Sequence, residues 1–163
     1  MATSGCSLNW GGFDKALAKA SSKMKAHAPL MASIGEALVS GTIHRFEKEV
    51  SPEGKAWPQS RRAAAEGGKT LTDTGRLRNS VDYAALEDKV MVGSNAKYAR
   101  IHQMGGDIKP KKSKKLIFTG QDGKTVALDG VKMPARPFIG ISDEDMAEVK
   151  ATIQSYLSGA FKG

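Results

Sequence analysis

The fold is decided by a stretch that opens with Leu71-Thr72-Asp73-Thr74-Gly75-Arg76-Leu77-Arg78-Asn79-Ser80 and continues to residue 105. Thr74 is placed to cap a short helix that turns Leu77 and Val81 inward. Residues 81–86 and 89–93 predict two short strands joined by an acidic turn. Residues 98–104 predict a short helix or tight turn that ends at two glycines. The stretch therefore predicts a hairpin between two helical turns, and it contains no recognisable catalytic apparatus.

A long amphipathic helix is predicted upstream of this stretch. Its apolar residues recur at helical spacing: Met31, Ile34, Leu38, Val39, Ile43, Phe46 and Val50. A helix of about 20 residues spans about 30 Å, enough to cover one face of a small sheet. A second helix with a lysine-rich face is predicted over residues 13–28, after a flexible arm at residues 1–12. Trp57 follows a turn signal at residues 51–54 and is expected to anchor that loop at the core edge.

Downstream, residues 116–119 and 125–128 predict a protruding hairpin with an Asp-Gly turn. Five lysines form one flank of this hairpin: Lys109, Lys111, Lys112, Lys114 and Lys115. Pro134 and Pro137 exclude a helix and favour an extended path over residues 131–141. Ser142 is placed to cap a last helix, whose buried stripe is predicted to contain Met146, Val149, Ile153, Leu157 and Ala160.

The order of these elements predicts an α+β fold. A small antiparallel or mixed sheet is covered by a long helix in the N-terminal half and by the C-terminal helix, with the basic hairpin protruding. A chain of 163 residues suits one domain, predicted over residues 13–163 with the hairpin inserted at about residues 107–130. No apolar run is long enough to span a membrane, and no secretion signal is present at the start.

The charge of the chain indicates an anionic neighbour. The formal net charge is +8, the pI is about 9.6 and the mean hydropathy is −0.36. After Ser80 there are 13 basic and 10 acidic residues, and five of the 13 are the lysines at positions 109–115. Such an excess favours nucleic acid or an acidic protein surface as the partner. The single cysteine, Cys6, excludes an internal disulfide and fits folding in a reducing cytoplasm.

Catalytic and cofactor motifs are missing from the sequence. It contains neither of the two Gly-rich phosphate-binding patterns and no Gly-x-Ser-x-Gly nucleophile elbow. Its three histidines lie on separate segments, which argues against a zinc site. A catalytic triad could be written from Ser80, His102 and Asp107, but the residue types alone give it little support, because triads are recognised by geometry and not by chain position. We therefore predict no catalytic, cofactor-binding or metal-binding residues, and no enzymatic activity.

Several short motifs together resemble the phage virion morphogenesis or tail-completion family of Mu-like tailed phages. The matching residues are Phe46, the run at 51–58, Leu71-x-Asp73-Thr74-Gly75-x-Leu77-x-x-Ser80, Val92-Gly93-Ser94, Tyr98-Ala99-x-Ile101-His102-Gln103-x-Gly105, and the run at 134–140. They occur in the family's order over residues 30–157, whereas residues 6–27 and 109–129 match poorly. The resemblance implies a structural, non-enzymatic virion protein of the head–tail junction, assembled in the bacterial host cytoplasm.

The resemblance also implies partners: further copies in a homo-oligomeric, sixfold ring, and neck or tail proteins on the portal or adaptor side and on the tail-tube side. If the lysines at 109–115 face a lumen, they contact DNA phosphates without reading sequence; otherwise they contact an acidic protein surface. Arg136 is a candidate for an intersubunit ion pair. His102 and Gln103 are expected to hydrogen-bond residues 134–140, and Trp57 to act structurally. The alternative function is a small basic DNA-binding protein without sequence specificity.

Overall fold

The computed structural model describes residues 27–111, 113–119 and 123–161. The predicted arm, residues 13–26 of the first predicted helix, Lys112 and residues 120–122 of the hairpin turn lie outside the described residues. The helices are α1 (His27–Lys48), α2 (Arg61–Glu66), a 3-10 turn (Arg78–Ser80), α3 (Ala99–Met104) and α4 (Asp143–Phe161). The strands are β1 (Val81–Ala85), β2 (Val90–Ser94), β3 (Gly106–Ile108), β4 (Leu116–Thr119), β5 (Thr125–Leu128) and β6 (Val131–Met133). The α+β class is confirmed, and the domain division stays a prediction.

Helix α1 is the long predicted helix and it organises the rest of the described chain. Pro29 lies in its first turn, where a proline costs no helical hydrogen bond. The helix ends at Lys48 because Glu49 takes a left-handed conformation with φ 57°. Val50, which the periodicity placed on the helix, instead bridges to Ala56 and closes a short loop. Helix α1 packs on β1, β2 and α4.

All strand pairing in the described residues is antiparallel. The strands form three two-stranded ribbons, β1–β2, β3–β6 and β4–β5, where the sequence predicted one small sheet. In the first ribbon Val81 faces Ser94 and Ala85 faces Val90, so the predicted hairpin is confirmed to within one residue at each strand end. Against α1, the ring of Tyr83 lies directly on Gly35, where a methyl group would collide with it. Close approach of helix and strand therefore depends on glycine at this position.

The prediction of a short helix after Thr74 is wrong. The Thr74 hydroxyl accepts a 3.4 Å hydrogen bond from the Arg76 N–H, and Gly75 has φ 72°, which a right-handed helix does not allow. A turn therefore leads into the 3-10 turn at Arg78–Ser80. Leu77 and Val81 are nevertheless buried, as the sequence predicted.

The core is built around three aromatic side chains from distant parts of the chain. Phe46 and Phe138 are fully buried and Trp57 is 6% exposed. The Phe46 ring centroid lies 5.5 Å from that of Trp57, at 78° between the planes, and 5.1 Å from that of Phe138. The Phe46–Trp57 pair is edge-to-face, an arrangement that adds to the stabilisation from burial. Truncating one such ring to alanine costs about 3–5 kcal/mol.

Helix α4 begins at the predicted cap but its predicted stripe is only partly buried. Ser142 Oγ accepts from the Asp145 N–H at 3.1 Å, and the Asp145 carboxylate accepts from the Ser142 N–H at 2.8 Å, a reciprocal capping box. Val149 and Ile153 are half-buried, whereas Met146 is 41% and Leu157 37% exposed. The prediction is wrong for these two residues because a helix packed chiefly on one neighbour, here α1, buries only a narrow stripe.

Candidate interaction site

Helix α3 holds the extended segment at residues 134–140 in place. Gln103 Oε1 accepts from the N–H groups of Phe138 at 2.9 Å and Ile139 at 3.0 Å, and its Nε2 donates to the Ile139 carbonyl at 2.8 Å. The His102 carbonyl accepts from the Arg136 N–H at 2.7 Å. The segment that contains Pro134 and Pro137 is thereby hydrogen-bonded without belonging to a strand, as buried backbone requires.

Trp57 and Arg136 cross-link the same segment to the loop after α1. Trp57 Nε1 donates to the Pro137 carbonyl at 2.8 Å. Arg136 is 4% exposed, and its guanidinium donates to the Pro58 carbonyl at 2.6 Å and to the Gln59 carbonyl at 3.5 Å. Burial lowers the pKa of Arg136 from its ordinary value. The geometry thus gives Arg136 carbonyl partners in its own chain, and the intersubunit ion pair stays a prediction.

A buried ion pair between Arg45 and Asp145 joins α1 to α4, and sequence reasoning missed it. Arg45 Nη1 lies 2.6 Å from the Asp145 carboxylate, and the side chains are 6% and 4% exposed. The same guanidinium donates to the carbonyls of Phe138 and Gly140, each at 3.0 Å, and to the Thr42 hydroxyl at 2.9 Å. Burial by itself raises the pKa of Asp145, but hydrogen bonds from Ser142 and Arg45 outweigh it and lower the pKa overall. The capping pattern marks Asp145 in the sequence, whereas nothing marks Arg45 as its partner.

A half-open groove of about 820 Å³ lies beside these cross-links. Its walls come from the opening stretch, from β5 and β6, and from the loop before α2. The apolar residues that line it are Leu71, Leu77, Tyr98, Phe118, Leu128, Val131 and Met133. Five cations and one carboxylate also line it: Arg61, Arg62, Arg76, Lys132, Arg136 and Asp73. The groove is therefore apolar at its floor and net basic at its rim.

His102 reaches this groove, but it does not form a catalytic triad. Its Nδ1 is buried and has no hydrogen-bond partner in the described part of the chain. Burial, together with the nearby Arg136 charge, lowers the pKa of His102, so the ring is neutral at pH 7. Ser80 Oγ instead donates to the Leu77 carbonyl at 2.6 Å and lies 2.7 Å from Ser94 Oγ. The Ser80, His102 and Asp107 grouping thus lacks the hydrogen bonds that a triad requires.

The lysine loop, here defined as residues 109–115, directly precedes β4 in the chain. Lys109, Lys111, Lys114 and Lys115 are all exposed, and Lys112 lies outside the described residues. The adjoining ribbon also exposes Ile117 at 70% and Phe118 at 45%. This surface combines positive charge with apolar side chains, which suits contact with a partner more than contact with water alone.

A second, acidic surface lies where α4 begins beside the second half of α1. A shallow cleft of about 1010 Å³ there is lined by six carboxylates and two cations. Ile141, at its edge, is 63% exposed. No residue that lines this cleft also lines the basic groove. The chain therefore carries two separate surfaces of opposite charge.

Within the described ranges, no cluster of three His, Cys, Asp or Glu side chains is placed to bind a metal ion. Across those ranges, no helix has both the length and the apolar character needed to cross a membrane.

Comparison with known proteins identifies the family. Residues 8–158 match the model of the phage virion morphogenesis family. The Mu-like prophage FluMu G protein 2 of Haemophilus influenzae is 33% identical over 129 residues, covering 79% of this chain and 77% of the relative. The putative capsid assembly protein G of Escherichia phage Mu is 31% identical over 137 residues, covering 77% and 76%. No solved structure matches significantly. The family is one of structural and assembly proteins, and this chain belongs to the phage virion morphogenesis family.

Proposed function

We propose that the chain is a structural component of the head–tail junction that assembles as a closed, sixfold ring and completes or joins the phage tail. The observation that carries this proposal is family membership over residues 8–158, together with relatives named for Mu-like G proteins and for capsid assembly. The geometry supports it in a second way. A ring subunit meets its neighbours through two different surfaces, and this chain has two surfaces of opposite charge that share no lining residue.

The neighbours in this proposal are a portal or adaptor protein on the head side and the tail tube on the other. The subunits are made in the host cytoplasm and remain in the virion. Internal cross-links through Trp57, Gln103 and Arg136 fix the shape of the subunit, since their side chains donate to or accept from backbone groups of the same chain. A subunit of fixed shape suits a junction that is built once.

A phage deleted for this gene tests the proposal. We expect lysates to contain complete, DNA-filled heads and separate tails, counted by negative-stain electron microscopy. A plasmid copy is expected to restore joined particles and to appear in purified virions by mass spectrometry. Infectious particles without the protein would contradict a structural role. Loss of the heads themselves would place the chain in capsid assembly, the role in the name of the Mu relative.

A second candidate, contact with packaged DNA, is favoured by the four exposed lysines of the lysine loop. If five lysines contact five phosphates, the slope of log affinity against log salt is about −4 to −5 for duplex DNA. Replacing Lys109, Lys111, Lys114 and Lys115 with serine is expected to remove most of that slope. The matched control replaces four exposed lysines elsewhere: Lys55, Lys89, Lys97 and Lys150. Equal loss in both variants would show that only net charge matters.

A further inference from the structure

The basic-rimmed groove has features of a protein-docking site. Its floor is apolar, and three exposed cations stand at its rim: Arg61, Arg76 and Lys132. None of the three side chains has an ion pair or hydrogen bond among the described residues. By contrast, Arg62 is engaged with Glu66 and Asp73, at 3.7 and 3.6 Å. Unpaired cations around an apolar floor favour an occupant that is apolar at its tip and acidic around it.

The chain presents such a surface at the start of α4, here called the acidic ridge: Ile141, Asp143, Glu144 and Met146. Ile141 is 63% and Met146 41% exposed, and both carboxylates between them are exposed. Ile141 and Met146 occupy the two positions on either side of a capping box that form a hydrophobic staple. The ridge is also held firmly, because Asp145 within it is bound to Arg45 of α1.

We infer that the groove of one copy receives the acidic ridge of a second copy, so that subunits associate head to tail. The apolar pair enters the groove, and the carboxylates meet the rim cations. The groove and the ridge share no residue, so one copy uses both surfaces at the same time. A contact of this kind is heterologous and generates a ring or an open filament. The inference rests on the ring in the proposed function and names the surfaces that form it.

The test uses two variants of the full chain, each damaged on one surface. The groove variant is Arg76→Glu with Lys132→Glu, and the ridge variant is Ile141→Ser with Met146→Ser. All four residues line a surface, and none belongs to the buried core. In sedimentation velocity the wild type is expected to form assemblies, and each variant alone to sediment as a 17.3 kDa monomer with association weakened by about tenfold or more.

Mixing the two variants gives the decisive result. The intact ridge of the groove variant fits the intact groove of the ridge variant, so a one-to-one complex of twice the monomer mass is expected. It grows no further, because its outer surfaces are both damaged. The matched control, Lys55→Glu with Lys89→Glu, alters exposed lysines that line neither the groove nor the acidic cleft and is expected to assemble like the wild type.

Three results overturn the inference. The first is assembly of both variants at wild-type strength, which places the contact elsewhere. The second is equal loss in the control, which makes net charge the cause. The third is a monomeric wild type, with no complex in the mixture, at about 1 mM chain. Failure of the proposed function looks different, because infectious particles then form without the protein, whatever its state of association.

Discussion

Removing the Arg45–Asp145 ion pair is expected to destabilise the fold in a defined order. The pair is buried, with side chains 6% and 4% exposed, and it is the charged link between α1 and α4. Three substitutions separate its parts. Asp145→Asn removes the charge but keeps an oxygen for the Ser142 N–H, Asp145→Ala removes both, and Arg45→Met removes the cation together with four donated hydrogen bonds.

The magnitudes follow from what each change leaves buried. Asp145→Asn removes the counter-charge of Arg45 but keeps an amide oxygen that accepts from the guanidinium and from the Ser142 N–H, so its loss is the smallest, about 1.5–3 kcal/mol. Asp145→Ala leaves the Arg45 cation without a counter-charge, a loss of about 3–5 kcal/mol. Arg45→Met leaves a buried carboxylate and also deprives the carbonyls of Phe138 and Gly140 of their donor. Its cost is therefore the largest, about 5 kcal/mol or more, which approaches the whole stability of an ordinary domain.

Urea unfolding followed by circular dichroism at pH 7 measures these losses. An Asp145→Ala loss below about 0.5 kcal/mol, or an Arg45→Met loss smaller than that of Asp145→Asn, would refute the reasoning. The pH dependence provides a second check. Because the folded pKa of Asp145 is below its ordinary value of 3.8, the ionised group stabilises the fold above that pH. The difference between wild type and Asp145→Asn should therefore shrink as the pH falls below 3.8.

Three further predictions concern the cross-linked segment and its surroundings. Gly105→Ala should lower the free energy of unfolding by about 3 kcal/mol or more, because φ is 67° and the added carbon lies 2.7 Å from the backbone nitrogen of Ala135. The control Gly54→Ala, where φ is 75° but the space is open, should cost about 1 kcal/mol. Equal costs in urea unfolding would contradict this prediction. Because the pKa of His102 is lowered in the folded state, wild-type stability should fall as the pH drops below about 6.5. Melting curves of His102→Phe should lack this fall, and those of the exposed control His44→Gln should keep it. The reverse pattern would reject the assignment to His102. Trp57→Phe should lose about 1–3 kcal/mol by leaving the partly buried Pro137 carbonyl without its donor, and a change near zero would show that the hydrogen bond contributes nothing.

The β1–β2 hairpin and the long helix were predictable because their signals are local. Alternating apolar residues and an acidic turn specify Val81–Ala85 paired with Val90–Ser94, and helical spacing specifies α1. The capping serine of α4 is equally local, since its bonds join Ser142 to Asp145, three residues away. Local rules therefore recovered most elements and the burial of Leu77.

The buried ion pair, the groove and the pairing of the strands were missed for a different reason, which is dependence on residues far apart in the sequence. Arg45 and Asp145 are 100 residues apart, and a capping aspartate does not reveal which cation it will meet. The groove combines segments at 59–62, 71–77 and 128–136, none of which has a groove signal of its own. The sequence also predicted one sheet, because period-two patterns identify strands but not which ribbon each strand joins.

The hydrogen-bonding capacity of the family motifs limits which residues can take part in the proposed contact between subunits. Gln103 Oε1 already accepts two backbone N–H groups while its Nε2 donates to a carbonyl, and the one donor of the Trp57 ring is also engaged. The polar atoms of these side chains are already hydrogen-bonded to residues 134–140, so they have little capacity left to bind a partner. In the proposed head-to-tail contact, recognition depends on exposed side chains with no bond in the described part of the chain, such as Arg76 and Lys132. Substitutions inside the cross-links should accordingly lower stability, and substitutions at the rim should lower association while leaving stability unchanged.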